Sequence, residues 1–177
     1  MVGIRLDLLG QPNPDFVSPS WQQFLGHLVT QRWQVELLVE ARRLPAVIPP
    51  LLRAGVTRAV VDQFGRPDSK LGIDDPGFRF LLSSSNAGCV WVKLSGACRN
   101  GNTADMAARS LLGAFGPTHL VWGSDWPHSQ FETVPSLETA RKALDIWVPD
   151  LNDGTRYSRT HQLNCSGSTL EPRARAR

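Results

Sequence analysis

The chain has 177 residues, 41% of them hydrophobic and 20% charged, a composition that resembles an ordinary soluble protein large enough to bury one sizeable core. Its formal charge of +3 belongs to the C-terminus: from Arg156 onward five arginines face one glutamate, and the rest holds 14 basic against 15 acidic residues. That excludes a basic nucleic-acid face on the body, and the terminal arginines lack the interleaved aromatics of a single-strand binder. No apolar run approaches the roughly 20 residues needed to cross a bilayer. The start, "MVGIRLDLLGQ", reads as no secretory leader. Cys89, Cys98 and Cys165 are odd in number and form no CxxC pair, so neither a disulfide framework nor a zinc ribbon is expected. A reducing, cytoplasmic setting is the expectation.

In chain order, "GIRLDLL" from Gly3 reads as a buried strand. "SPSWQQFLGHLVTQR" follows as a helix with Ser18 as N-cap and Trp21, Phe24, Leu25, Leu28 and Val29 on one face. "WQVELLV" from Trp33 is a second strand, and "PAVIPPLLRAG" a short helix expected to break or kink at Pro49 and Pro50 and to stop at Gly55. "RAVVDQF" from Arg58 is a third strand, and "DPGFRFLLSSS" a helix turning Phe78, Leu81 and Leu82 inward. "VWVKLSG" from Val90 is a fourth strand, before a helix in "TADMAARSLLGAFGP" capped at Thr103. "HLVWGSD" from His119 is a fifth, and "SLETARKALDIW" a helix stacking Leu137, Ala140, Leu144 and Trp147. Strands begin about 25 to 32 residues apart, the rhythm of parallel βαβ units.

An open doubly wound sheet predicts a phosphate-cradling glycine loop after an early strand, and "GQPNP" is not one. A (β/α)8 barrel predicts polar residues at the C-terminal tips of several strands. Here those are Gln63 and Arg66, Lys93 and Ser95, Arg99, and then Asp125 and His128. The fold class expected is therefore α/β, a partial (β/α)8 barrel of about five parallel strands over residues 1–155, with a basic tail at 156–177.

Converging tips would let Asp125 act as a general base toward water or as a metal ligand, with arginines gripping an anionic substrate. Each residue type also has a plain role. Asp125 suits a turn or cap, and Arg66 suits a salt bridge to Asp68. Lys93 suits a strand-side stem, Arg99 an exposed surface, and His128 a hydrogen bond to a loop carbonyl. His27 and His161 read as structural or solvated, and His119 begins its strand at the far end of the barrel.

Taken in order, "VVDQFGRPD", "VWVKLSGACR" and "LVWGSDWPH" resemble the amidohydrolase-related barrel hydrolases, in the branch that includes 2-pyrone-4,6-dicarboxylate lactonase. The likeness runs from Gly3 to about Asp150. It implies a (β/α)8 barrel that hydrolyses lactones or related esters and amides, with Asp125 as the active-site acid. By the same resemblance Arg5, Arg66 and Arg99 bind substrate carboxylates, and Lys93 or His128 assists the carbonyl oxygen. Members of the family differ in whether a divalent metal is required.

Three departures stand beside the likeness. No HxH occurs in the chain, and Gln63 stands where a histidine is common. A glutamine amide does not titrate near neutrality and is a poor zinc ligand, so no metal site is assigned. Five strands against eight are expected to leave two unpaired edges and an apolar inner face. After "IWVPDLNDGTRYS" the sequence loses periodicity, consistent with a lost reading frame near Tyr157 or a short disordered tail. The expected function is an impaired hydrolase of a small carboxylated lactone or ester. The alternative is a non-catalytic protein associating through its open edges, with another copy or a partner. Neither membrane nor nucleic-acid partners are expected.

Overall fold

A computed structural model describes residues 3–128, 131 and 136–148. Its sheet contains strands β1 (Gly3–Asp7), β2 (Gln34–Leu38), β3 (Ala59–Val61), β4 (Val90–Leu94) and β5 (Leu120–Trp122). All four pairings are parallel and the order is β1-β2-β3-β4-β5. A doubly wound sheet reverses its strand order at a switch point; unbroken sequential order is the pattern of a barrel wall. The five strands expected from the sequence are the five observed, each shorter than its apolar run.

Helices α1 (Pro19–Thr30), α2 (Leu44–Arg53), α3 (Pro76–Ser83), α4 (Ala97–Asn100), α5 (Ala104–Phe115) and α6 (Leu137–Trp147) complete the described fold. One core joins Leu25 and Leu28 of α1, Val47, Ile48 and Leu51 of α2, and Phe78 and Leu81 of α3 to the strand side chains Val35, Leu37, Val61, Val92 and Leu120. Fully burying a Leu, Val or Phe is worth about 1.5–3 kcal/mol, so this layer fixes which strand residues face outward. The alternate residues face inward.

The helix predictions need four corrections, the first at Ser18, which precedes α1 but whose hydroxyl donates to the Asp15 carbonyl at 2.8 Å instead of capping the helix. α2 runs unbroken through Pro49 and Pro50: its apolar face of Leu44, Val47, Ile48 and Leu51 is at most 1% exposed, and packing outweighs the two missing N–H donors. Thr103 does not cap α5 with its side chain, because its hydroxyl donates to the Asn100 carbonyl instead. Leu137 is 61% exposed, since the first turn of α6 projects beyond the core that Leu144 and Trp147 enter. The Ser136 hydroxyl caps that helix by accepting from the Thr139 N–H.

The inner face also differs from expectation. Rather than an apolar wall it carries Arg5, Gln34, Glu36, Asp62 and Lys93, which line one cavity. Among the described residues β1 and β5 each pair on one side. The tail from residue 156, with its frame and disorder readings and His161, lies outside the described residues.

Candidate active site

Just after β3 the chain turns sharply. Gln63, Phe64, Gly65 and Arg66 take left-handed φ values of 51°, 59°, 79° and 48° in succession. Left-handed backbone costs a non-glycine residue about 1–2 kcal/mol, so tertiary contacts must hold this turn. Phe64 is fully buried and meets Trp147 edge to face at 5.0 Å. Gly65 and Arg66 donate to the carbonyls of Asp62 and Gln63, and the Arg66 carbonyl accepts from Ala41. A Cβ on Gly65 would stand 2.4 Å from Leu81 Cδ2, which accounts for the glycine of "FGRP".

The turn aims Gln63 at Asp125. Gln63 Nε2 donates to Asp125 Oδ1 at 2.9 Å, while Gln63 Oε1 accepts from Arg66 Nη1 at 2.6 Å. Arg99 Nε donates to Asp125 Oδ2 at 2.6 Å. A guanidinium on one side and a carboxylate on the other fix which way the amide points. Gly96, the glycine of "KLSG", has φ 66°, and a Cβ there would lie 3.1 Å from Asp125 Oδ2. Its absence lets α4 bring Arg99 against the carboxylate. Asn100 braces the same corner, donating from Nδ2 to the Gly96 carbonyl at 3.2 Å.

Asp125 opens into a cavity of about 410 Å3 shared with Arg5, Glu36, Asp62, Gln63 and Lys93. Arg5 grips Asp62 Oδ2 through Nε at 2.9 Å and Nη2 at 2.7 Å. Lys93 Nζ pairs with Glu36 Oε1 and stands 2.9 Å from Asp62 Oδ1, a charge contact without hydrogen-bond geometry. Burial raises the Asp62 pKa to about 6 against the opposing charge and hydrogen bond of Arg5, with Asp125 and Asp7 adding to the rise.

The sequence-predicted residues divide among three cavities. Asp125, Arg5 and Lys93 share the large one. Arg66 and Arg99 touch the other side of the Gln63–Asp125 bridge and line a neighbouring cavity of about 300 Å3. Arg66 is not bridged to Asp68, whose Oδ1 accepts from the Lys70 and Leu71 N–H groups of its own loop. His128 lines a third, largely apolar cavity of about 220 Å3 beside Cys98 and Trp147. It is 6% exposed, and among the described residues neither ring nitrogen has a hydrogen-bond partner. It lines this cavity, which adjoins the one Asp125 opens into through Ser95, Trp122, Gly123 and Ser124.

Asp62 and Glu36 escaped the sequence reading. The available signal was alternation: strands of a parallel sheet are ordinarily apolar on both faces, yet "IRLD" and "QVEL" place a charged or amide group at every second position and "VVD" and "WVKL" each add one on the same face.

Parallel strands in sequence order, turning charged tips toward one cavity, form an arc of an enzyme-type (β/α) barrel. The chain belongs to the amidohydrolase family, whose model (Amidohydro_2) matches residues 1–158. It is 31% identical over 144 residues to a 2-pyrone-4,6-dicarboxylate hydrolase of Comamonas testosteroni, covering 71% of this chain and 46% of that one. Over 84 residues it is 35% identical to a 4-sulfomuconolactone hydrolase of Hydrogenophaga intermedia, covering 44% and 27%. A crystal structure described as a probable 2-pyrone-4,6-dicarboxylic acid hydrolase of Acinetobacter baumannii, with citric acid bound, superposes with a TM-score of 0.88 at 34% identity, covering 95% of this chain and 65% of that chain. The chain thus spans less than half the length of these two curated relatives.

A divalent metal does not fit the donors present. Among the described residues no group of three or more His, Cys, Asp or Glu side chains could hold one. Gln63 stands beside Asp125 as an amide, a poor metal ligand, and the Lys93 ammonium lies between Glu36 and Asp62, a cation where a second one would have to bind. No step is routed through a metal here.

Proposed function

We propose that this chain carries the water-activating site of a lactone hydrolase acting on a small carboxylated ring. The observation behind the reading is the Asp125 carboxylate, held from behind by Gln63 and Arg99 and opening into a charged cavity. Each carboxylate oxygen keeps a second lone-pair site. One of these takes a proton from water while the water oxygen attacks the lactone carbonyl carbon. The ring C–O bond then breaks, and the proton passes from Asp125 to the departing ring oxygen.

Arg5, whose side chain is 49% exposed, receives a substrate carboxylate, and Lys93 supplies positive charge at the cavity wall. Arg99 holds the base in place and, with Arg66 behind it, keeps the field at Asp125 favourable to an anion. The substrate class is supported by the relatives' names and by citric acid in the Acinetobacter structure. Hydrolysis of a carboxylated six-membered lactone, followed with Asp125→Asn alongside, tests the reading; equal rates for the two proteins would remove Asp125 from it. The unpaired Cys89 and Cys98 suit a cytoplasmic setting.

Among the described residues β1 and β5 pair on one side each, which favours a second reading, in which the chain associates edge to edge with another copy. Sedimentation at twice the monomer mass is then expected, and a monomer across the concentration range sets this reading aside.

A further inference from the structure

Between the tips of β4 and β5 and one face of α6 lies the largely apolar cavity of about 220 Å3 that His128 lines. We propose that it binds a small, neutral, flat molecule carrying a hydroxyl group, with phenol the simplest case, its ring between Trp122, Ala143 and Trp147 and its hydroxyl on the His128 imidazole. The inference rests on this cavity alone and does not require Asp125 to be a base.

Small residues make the room. Ala140 and Ala143 stand one turn apart on the α6 wall, and Gly96, Ala97 and Gly123 face them from the strand tips. An apolar cavity of about 150 Å3 accepts benzene, so the larger volume here takes a six-membered ring with a substituent.

Most polar groups of the walls have partners of their own. Ser124 Oγ accepts from the Trp126 N–H at 3.2 Å, Thr139 Oγ1 shares a hydrogen bond with Ser136 Oγ at 3.0 Å, and Trp147 Nε1 donates to Asp105 Oδ1 at 2.8 Å. Burial pushes the Cys98 thiol above its ordinary pKa, against the charge of Arg99. It therefore stands in the wall as a protonated, weakly polar group and not as a metal-binding thiolate.

His128 is the exception, buried and without a partner for either ring nitrogen among the described residues. A neutral imidazole carries one N–H donor and one bare acceptor nitrogen, and leaving such groups dry and unpaired is costly. A hydroxyl both donates and accepts, so it serves whichever nitrogen it meets. A buried water needs several polar partners, and the imidazole alone is on offer. An ionic ligand fits no better, since no carboxylate, guanidinium or ammonium lines this cavity among the described residues.

The test titrates the full chain with phenol and, separately, with toluene, which has the same shape without the hydroxyl, by calorimetry. Saturable binding of phenol is expected. The ratio of phenol to toluene affinity should fall about tenfold in His128→Leu, the effect of one lost hydrogen bond, and the comparison cancels the two ligands' different transfer from water. Ala143→Leu, which fills the cavity from α6, should weaken both by tenfold or more. If His128→Leu does not fold, the ring-nitrogen chemical shifts of His128 in the unaltered chain decide: they should move with phenol and stay in place with toluene. Absence of saturable phenol binding in the millimolar range overturns the proposal. So does an affinity ratio that His128→Leu leaves unchanged, or phenol binding that survives Ala143→Leu intact, because the ligand then lies elsewhere.

Discussion

Asp125→Asn is expected to lower turnover of a carboxylated lactone by about 10²–10⁴-fold, the usual contribution of a positioned general base, with KM little changed. The substitution keeps size and shape and removes the proton acceptor. It also turns an amide NH2 toward either Gln63 Nε2 or Arg99 Nε, both donors aimed at this carboxylate. Gln63 cannot relieve the clash by rotating its amide, because Arg66 holds its oxygen. A stability loss of about 1–3 kcal/mol for the unmatched donor is therefore expected as well. Turnover is to be compared at a temperature where circular dichroism shows both proteins folded. A folded variant of unchanged turnover would place the chemistry elsewhere.

The second large effect is on stability and comes from Asp62. Its pKa rises from 3.8 to about 6 on folding, so between those values the folded chain holds a proton that the unfolded chain has lost. The sign follows directly: this group's stabilising contribution is full below about 3.8 and is lost as pH rises through about 6. The two limits differ by about 3 kcal/mol, a shift in Tm of about 6 °C or more for a chain of this size. Thermal unfolding between pH 4 and pH 7 should show the wild type losing stability as pH rises, with the loss complete near pH 7. In Asp62→Asn, which keeps the shape and cannot titrate, the slope should flatten. Parallel curves for the two proteins would show that Asp62 titrates normally.

Much of the frame was legible in the sequence because strand and helix periods are local. The runs at Gly3, Trp33, Arg58, Val90 and His119 mark all five strands, and the missing glycine-rich loop separates barrel from doubly wound sheet. The motifs around Gln63, Lys93 and Asp125 fall at strand tips, where the geometry joins Gln63 directly to Asp125 across 62 residues.

What stayed hidden depends on contacts between distant residues. Gly65 alone advertises a left-handed backbone; the same conformation at Gln63, Phe64 and Arg66 is imposed by the Phe64–Trp147 packing and by hydrogen bonds to Ala41 and Asp62. Arg66 therefore turns away from the cavity that its place in the motif suggested. His128 follows Asp125 by three residues, and the turn that joins them, with the His128 N–H on the Asp125 carbonyl at 2.8 Å, sends the two side chains into different cavities. The polar inner face was overlooked because each strand was read as one apolar run. Arg5, Glu36, Asp62 and Lys93 form a group only once β1 to β4 lie in register.

The central claim is that Asp125, Arg5 and Lys93 address one ligand in one cavity. A crystal structure of the chain with citrate tests it most directly. A citrate carboxylate is expected on Arg5, with the molecule lying between Lys93 and Asp125; citrate bound elsewhere, with this cavity holding solvent alone, would contradict the claim.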